Sequence, residues 1–151
     1  MPSASMLSPI GPLCVISDGT AITALRWAAE DDGTQTPVLT EALSQLAAYF
    51  DGRLTRFDLP LDVAGSEFQR RVCDAMFGIP FGETVTYGDL AARLRASPQA
   101  VGTACGGNPI PVIIPCHRVL AASGLGGYSG EGGVETKVWL LRHEGAAGLL
   151  I

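Results

Sequence analysis

Two helix-start signals stand so close together in the middle of this chain that only one short helix fits between them. Thr86-Tyr87-Gly88-Asp89 has a hydroxyl at a capping position and a carboxylate three residues on, the pattern of a capping box. Ser97-Pro98 repeats the start, a cap followed by proline at the first helical position. The first helix places Leu90, Ala91 and Leu94 inward, and the second runs through Ala100, Val101, Ala104 and Cys105. Two helices joined this tightly form either a helix-turn-helix or an ordinary corner between helices, and the pattern alone favours the corner. The second helix is built of small residues, Ala100, Gly102, Thr103, Ala104, Gly106 and Gly107. That composition is poor for helix stability, but it lets another backbone or a ligand come close.

Ser66 caps a further helix with Phe68, Val72, Cys73 and Met76 on one face, stopped by Gly78 and Pro80. Upstream, Gly11 to Trp27 reads as a pair of short strands with the turn signal Asp18-Gly19 between them. Ala28 to Pro37 is polar and turn-rich. From Val38 to Phe50, Leu39, Leu43, Leu46, Ala47 and Phe50 follow helical spacing, and Asp51-Gly52 ends that helix. Arg56 to Val63, with Pro60, reads as an extended link into the next unit. The expected fold is α+β: a small strand-and-helix unit over residues 1–63, then a mostly helical unit over 64–151.

The chain has 151 residues, 47% of them hydrophobic and 17% charged, enough apolar surface for a core. No apolar run is long enough to span a bilayer. The start lacks a basic region and is broken by Pro2, Pro9 and Pro12, so it does not read as a secretory signal, and the expected location is the cytoplasm. A formal charge of −5 counts against nucleic acid as a partner, since phosphate binding shows as a basic stripe. The charge is uneven, however: Asp18, Glu30, Asp31 and Asp32 lie early, and Arg70, Arg71, Arg93, Arg95, Arg118, Lys137 and Arg142 late. Cys14, Cys73, Cys105 and Cys116 show no C-x-x-C spacing and have only His117 and His143 to help, so neither a metal nor a disulfide is expected.

The most informative stretch is Asn108-Pro109-Ile110-Pro111-Val112-Ile113-Ile114-Pro115-Cys116-His117-Arg118-Val119. A hydrophobic run delivers Cys116 to a point fixed by Pro115, with two potential cations directly after it. Cations lower a thiol's pKa, and the thiolate is the nucleophile. Adjacent side chains diverge, so His117 is expected to reach Cys116 through a water, with a carboxylate to orient it. Glu144 is a candidate that the sequence does not place. The bland alternative is a buried structural thiol.

Pro115-Cys116-His117-Arg118-Val119 resembles the active-site motif of the O6-alkylguanine-DNA alkyltransferases, the methylated-DNA–protein-cysteine methyltransferases. Supporting resemblances run from Pro60-Leu61 and Phe68-Gln69 through Ile79-Pro80-Phe81-Gly82-Glu83-Thr84, Thr86-Tyr87-Gly88, Ala100-Val101-Gly102 and Asn108-Pro109. They continue through Gly127-Tyr128-Ser129-Gly130, Lys137 and Trp139-Leu140-Leu141 to Glu144-Gly145, and are weaker in the N-terminal third.

The resemblance implies single-use repair of double-stranded DNA, in which a flipped O6-alkylguanine gives its alkyl group to Cys116. It implies a helix-turn-helix over about residues 86–106, no cofactor, no membrane partner and action as a monomer. By the same resemblance Tyr87 gives a proton to N3 of guanine, and His117 and Glu144 relay the thiol proton. Asn108 acts as a hinge, Ser129 bonds O6, and Tyr128, Val119, Thr103 and Gln99 contact substrate or DNA. Gln99 stands where the family usually has an arginine that fills the emptied stack, and Gly106 where larger or basic residues are common. Two other readings keep the scaffold: a thiol acceptor for free alkylated purines or small alkyl donors, and a lesion-binding alkyltransferase-like protein, against which Cys116 argues.

Overall fold

The computed structural model describes residues 1–146; the end of the second sequence-defined unit lies outside them. The chain divides into two compact units, Met1–Ala64 and Gly65–Ile151.

In the first unit β1 (Ser3–Ser8), β2 (Gly11–Ser17) and β3 (Ile22–Arg26) form an antiparallel sheet in that order. The expected pair is β2 and β3, whose turn is closed by Asp18 Oδ1 accepting from Thr20 N and Ala21 N, both at 2.9 Å. β1 was not legible: Ser-Ala-Ser-Met-Leu-Ser lacks β-branched residues and buries only Ala4. Its ladder to β2 holds it, from Ser3 opposite Ile16 to Ser8 opposite Gly11.

The extended segment at Arg56–Val63 is bonded within this unit. Ile22 N donates to Pro60 O at 2.8 Å and Asp62 N to Ile22 O at 2.9 Å, so the segment lies along β3. The helix α1 (Pro37–Phe50) buries Leu39, Ala42, Leu46 and Tyr49, a stripe rotated from the expected one. Tyr49 rather than Phe50 turns fully inward, its ring 5.4 Å from that of Phe57.

The second unit is mostly helical, with α2 (Glu67–Phe77), α3 (Tyr87–Leu94), α4 (Pro98–Gly106) and α5 (Val134–His143). Each of the first three starts on the residue the sequence nominates. Ser66 Oγ accepts from Gln69 N at 3.0 Å, and Ser97 Oγ from Ala100 N at 3.1 Å. At Thr86 both halves of the capping box form: Thr86 Oγ1 accepts from Asp89 N at 3.0 Å, and Asp89 Oδ2 from Thr86 N at 2.9 Å.

Arg95 ends α3 in the left-handed region, at φ 53°, and turns the chain directly into α4. α3 and α4 pack on each other and on α2, so the corner is braced from behind. Gln69 Nε2 on α2 donates to Ala104 O at 2.8 Å. A Cβ on Gly107 would sit 3.1 Å from Gln69 Oε1, so glycine is what allows the close approach.

Two short strands, β4 (Val85–Thr86) and β5 (Val119–Leu120), pair in parallel and tie the start of α3 to the end of the cysteine segment. Ile110, Ile113, Ile114, Leu90, Met76, Val101, Val119 and Leu140 form the core beneath. Among the described residues no helix is long and apolar enough to cross a membrane.

The capping box is doubly bonded and starts the helix that carries the turn. Thr86→Ala should therefore lower stability by about 1 kcal/mol, with Thr86→Ser recovering most of it. Denaturant unfolding of the two variants measures this.

Candidate active site

Every residue from Ile110 to Val119 is buried, so this stretch must find partners for its backbone without water. Asn108 supplies several. Its Oδ1 accepts from Ile110 N at 3.0 Å, and its Nδ2 donates to Ile114 O at 2.9 Å. Ile114 O also accepts from Cys116 N at 2.8 Å. Between these points Val112 adopts φ 72°, costly for a β-branched residue by about 1–3 kcal/mol. The doubled-back chain presents Cys116, His117 and Arg118 in a short 3-10 turn.

The carboxylate expected behind His117 is Glu144, just past α5. His117 Nε2 lies 2.7 Å from Glu144 Oε2, with both side chains fully buried. Arg118 adds two bonds to the same carboxylate, Nε to Oε1 at 2.8 Å and Nη2 to Oε2 at 2.9 Å. Its Nη1 donates to Ile79 O at 2.6 Å.

Burial alone would push the Glu144 carboxyl up, but the hydrogen bonds from His117 and Arg118, with their charges, outweigh it and hold its pKa at about 2. Burial pushes His117 down despite Glu144, so the ring is neutral at neutral pH. An ionised carboxylate only accepts, so Nε2 carries the proton and Nδ1 keeps a lone pair. Among the described residues Nδ1 has no hydrogen-bond partner.

The expectation that two neighbouring cations depress the Cys116 pKa is corrected. His117 is neutral, and the Arg118 guanidinium is engaged by Glu144 and Ile79. Burial pushes the Cys116 thiol up, opposed by hydrogen bonding from Asn108 and by the charge of Lys137. The thiol is therefore protonated at rest.

Cys116 forms part of the wall of a cavity of about 290 Å³, with Tyr87, Gly102, Cys105, Gly106, Gly127, Tyr128 and Ser129 as the rest. A Cβ on Gly106 or Gly127 would meet nothing within 4 Å, so the space beside both is open. Lys137 is fully buried beside it. Its Nζ donates to Val119 O at 2.7 Å and Gly127 O at 3.0 Å, and lies 6.0 Å from the Tyr87 ring centroid. Burial lowers its pKa to about 8. Burial also raises that of Tyr87, which keeps its proton.

The structure thus brings together Cys116, Tyr87, Tyr128 and Ser129 on one cavity, with Asn108, His117 and Glu144 buried in the same unit. Gln99 and Thr103 are exposed on α4, where Thr103 Oγ1 donates to Gln99 O at 3.1 Å. Val119 is not on the cavity wall: its side chain is fully buried in β5, and its carbonyl takes Lys137. Sequence reasoning assigned no part to Lys137 or Cys105 and misread that of Arg118. A lysine among the apolar positions of α5, beside Leu140 and Leu141, was the available signal for the first.

The family model described as the 6-O-methylguanine DNA methyltransferase DNA binding domain matches residues 67–146, and that described as the ribonuclease-like domain of the same proteins matches residues 3–63. The chain is 45% identical to a methylated-DNA–protein-cysteine methyltransferase of Mycobacterium leprae, over 93% of this chain and 90% of that one. It is 40% identical to a protein of the same name from Metallosphaera sedula, again over 93% and 90%. The crystal structure of Mycobacterium tuberculosis OGT in complex with DNA matches with a TM-score of 0.84 at 44% identity, covering 95% of this chain and 92% of that one.

Removing the Glu144 charge would leave the Arg118 guanidinium buried without its counter-ion. Glu144→Gln should cost about 3 kcal/mol at pH 7. Because the folded pKa lies below the ordinary 4.5, the carboxylate's contribution is present above that value and lost as pH falls toward about 2. Denaturant melts between pH 6 and pH 2 should show the gap between the two proteins closing across that window.

Proposed function

The chain belongs to the 6-O-methylguanine DNA methyltransferase family, and from that premise we propose that it repairs DNA by moving the alkyl group of an O6-alkylguanine irreversibly onto Cys116. The observation that carries the residue assignment is a cavity-lining thiol followed in the chain by a neutral histidine locked to a buried carboxylate.

The reaction runs as follows. The damaged nucleotide leaves the stack, since the thiol cannot reach a stacked base, and its alkyl group enters the cavity. The Cys116 proton passes through a water to His117 Nδ1, and the imidazolium so formed is held by Glu144. Lys137 and Asn108 stabilise the thiolate as it forms. Sulfur attacks the alkyl carbon, an S–C bond forms and the C–O6 bond breaks, with its electron pair leaving on guanine. Tyr87 delivers a proton to N3, so guanine need not leave as an anion, and Ser129 bonds O6. The thioether has no good leaving group, so each molecule acts once. Cys105 does not compete for the alkyl group: burial, then the Cys116 charge, push its thiol up to about 12.

α3 and α4 form the DNA-reading corner, with Gln99 and Thr103 on the face of α4 turned to solvent. Gln99 enters the space left by the flipped base. The protein acts in the cytoplasm.

Incubation with an O6-methylguanine duplex should add one methyl group, on the peptide holding Cys116. Cys116→Ala should take none, and Cys73→Ala, altered on α2 away from the cavity wall, should still take one. His117→Gln cannot accept the proton and should slow transfer by roughly 100-fold while duplex binding stays within a few-fold. A methyl group on another cysteine overturns the acceptor assignment, and an unchanged rate removes His117 from the relay.

Extrusion costs a few kcal/mol, part of which an inserted side chain offsets. Arginine adds a cationic stacking plane that glutamine lacks. Gln99→Arg should therefore speed repair of the duplex and steepen its salt dependence, while reaction with free O6-benzylguanine stays the same. Equal acceleration of both substrates would mean that α4 acts otherwise than through extrusion.

A further inference from the structure

Cys116 shares the cavity wall with a second thiol, that of Cys105 on the last turn of α4. The two segments are tied together through one residue, Asn108. Asn108 N donates to Cys105 O at 3.2 Å, and Asn108 Nδ2 donates to Ile114 O, the carbonyl that also takes Cys116 N. From behind, Gln69 pins the neighbouring Ala104 carbonyl. Neither backbone can drift without breaking this buried chain of bonds.

We infer that Cys105 is a resolving thiol for Cys116: when hydrogen peroxide oxidises Cys116, Cys105 closes a disulfide with it inside the cavity. This rests on Cys116 being the activated thiol, as in the repair reaction, but it needs no DNA. The relay that prepares Cys116 for an alkyl carbon prepares it equally for the O–O bond of a peroxide, a smaller electrophile than an alkylated base. In the first step sulfur attacks one peroxide oxygen, the O–O bond breaks, and the thiol proton leaves with the other oxygen; Cys116 becomes a sulfenic acid and water departs. In the second, Cys105 sulfur attacks Cys116 sulfur, the S–O bond breaks, and the Cys105 proton leaves with the hydroxyl as a second water.

Burial is the chief cause that holds the Cys105 proton in place, with Lys137 opposing it. Both thiols are therefore neutral at rest, and oxidation of Cys116 is what gives Cys105 a sulfur electrophile to attack. Without a resolving thiol, a thiol used once per molecule would be lost to sulfinic and sulfonic acids, which ordinary reductants do not reverse.

The test uses the reduced full chain treated with hydrogen peroxide, quenched with a maleimide and weighed intact under denaturing conditions. The expected result is the loss of two hydrogens and of two maleimide labels, with Cys105 and Cys116 linked in the peptide map. Methyl acceptance from the O6-methylguanine duplex is lost and returns with dithiothreitol. Cys105→Ser should instead gain two or three oxygens at Cys116, beyond rescue by dithiothreitol. Protein already methylated on Cys116 should form no cross-link. Wild-type protein that gains oxygens without cross-linking, or cross-links through Cys73 or between molecules, overturns the inference. Protein that forms the cross-link but accepts no methyl group beforehand would sink the repair reading and leave this one standing.

Discussion

A carboxylate with no exposed surface stays ionised only where nearly every lone pair has a donor, and Glu144 meets that demand with three N–H groups from His117 and Arg118. Taking such ions out of water costs several kcal/mol each. The bidentate guanidinium offsets that cost, and its third bond, to Ile79 O, ties the segment after α2 into the same knot. The end of α5, the cysteine turn and the segment after α2 are thereby fixed to one another. An apolar cluster of similar volume could hold these elements as firmly. What it could not supply is a group that sets the tautomer of His117 and leaves Nδ1 ready to receive a proton.

The buried groups around Cys116 are poised by opposing shifts. Burial pushes the thiol up and the imidazole down, so both neutral forms are favoured at rest. Moving one proton from sulfur to imidazole would create two charges among buried groups, which burial resists. Each new charge has a partner already in place: Lys137 and Asn108 for the thiolate, Glu144 for the imidazolium. Under the proposed relay those partners need not reorganise when the proton moves, the kind of preorganisation that lowers a barrier electrostatically. Lys137 serves twice, since the ammonium that favours the thiolate also holds the Val119 and Gly127 carbonyls.

Local signals were legible because they are local. Ser66, Thr86 with Asp89, and Ser97-Pro98 each satisfy helix N–H groups within a few residues, so their pattern survives in one dimension. Cys116 was legible through the wording around it. Three features were not. β1 is held by its partner strand rather than by its own composition. Arg118 reads as a cation beside a thiol, and only the fold reveals that Glu144 takes it. Lys137 matches the family without showing what it does, until α5 places it against two carbonyls distant in sequence. In each case the deciding partner is supplied by tertiary contact, which propensity and spacing do not encode.

The acidic composition, which counted against a nucleic-acid partner, loses its force once charge is assigned by unit. The first unit, Met1–Ala64, holds eight acidic and three basic residues and so accounts for the whole formal charge of −5. The second holds seven of each and is formally neutral. There Glu144 is internally neutralised by Arg118, while Arg70, Arg71, Arg93 and Arg95 are exposed on α2, on α3 and at the turn into α4. Those four arginines form a local basic surface that the formal neutrality of the unit conceals, and a local surface is what phosphate contact requires. Under the proposed reaction, damaged and normal bases are told apart at the step after contact, when one extruded base enters the cavity beside Cys116.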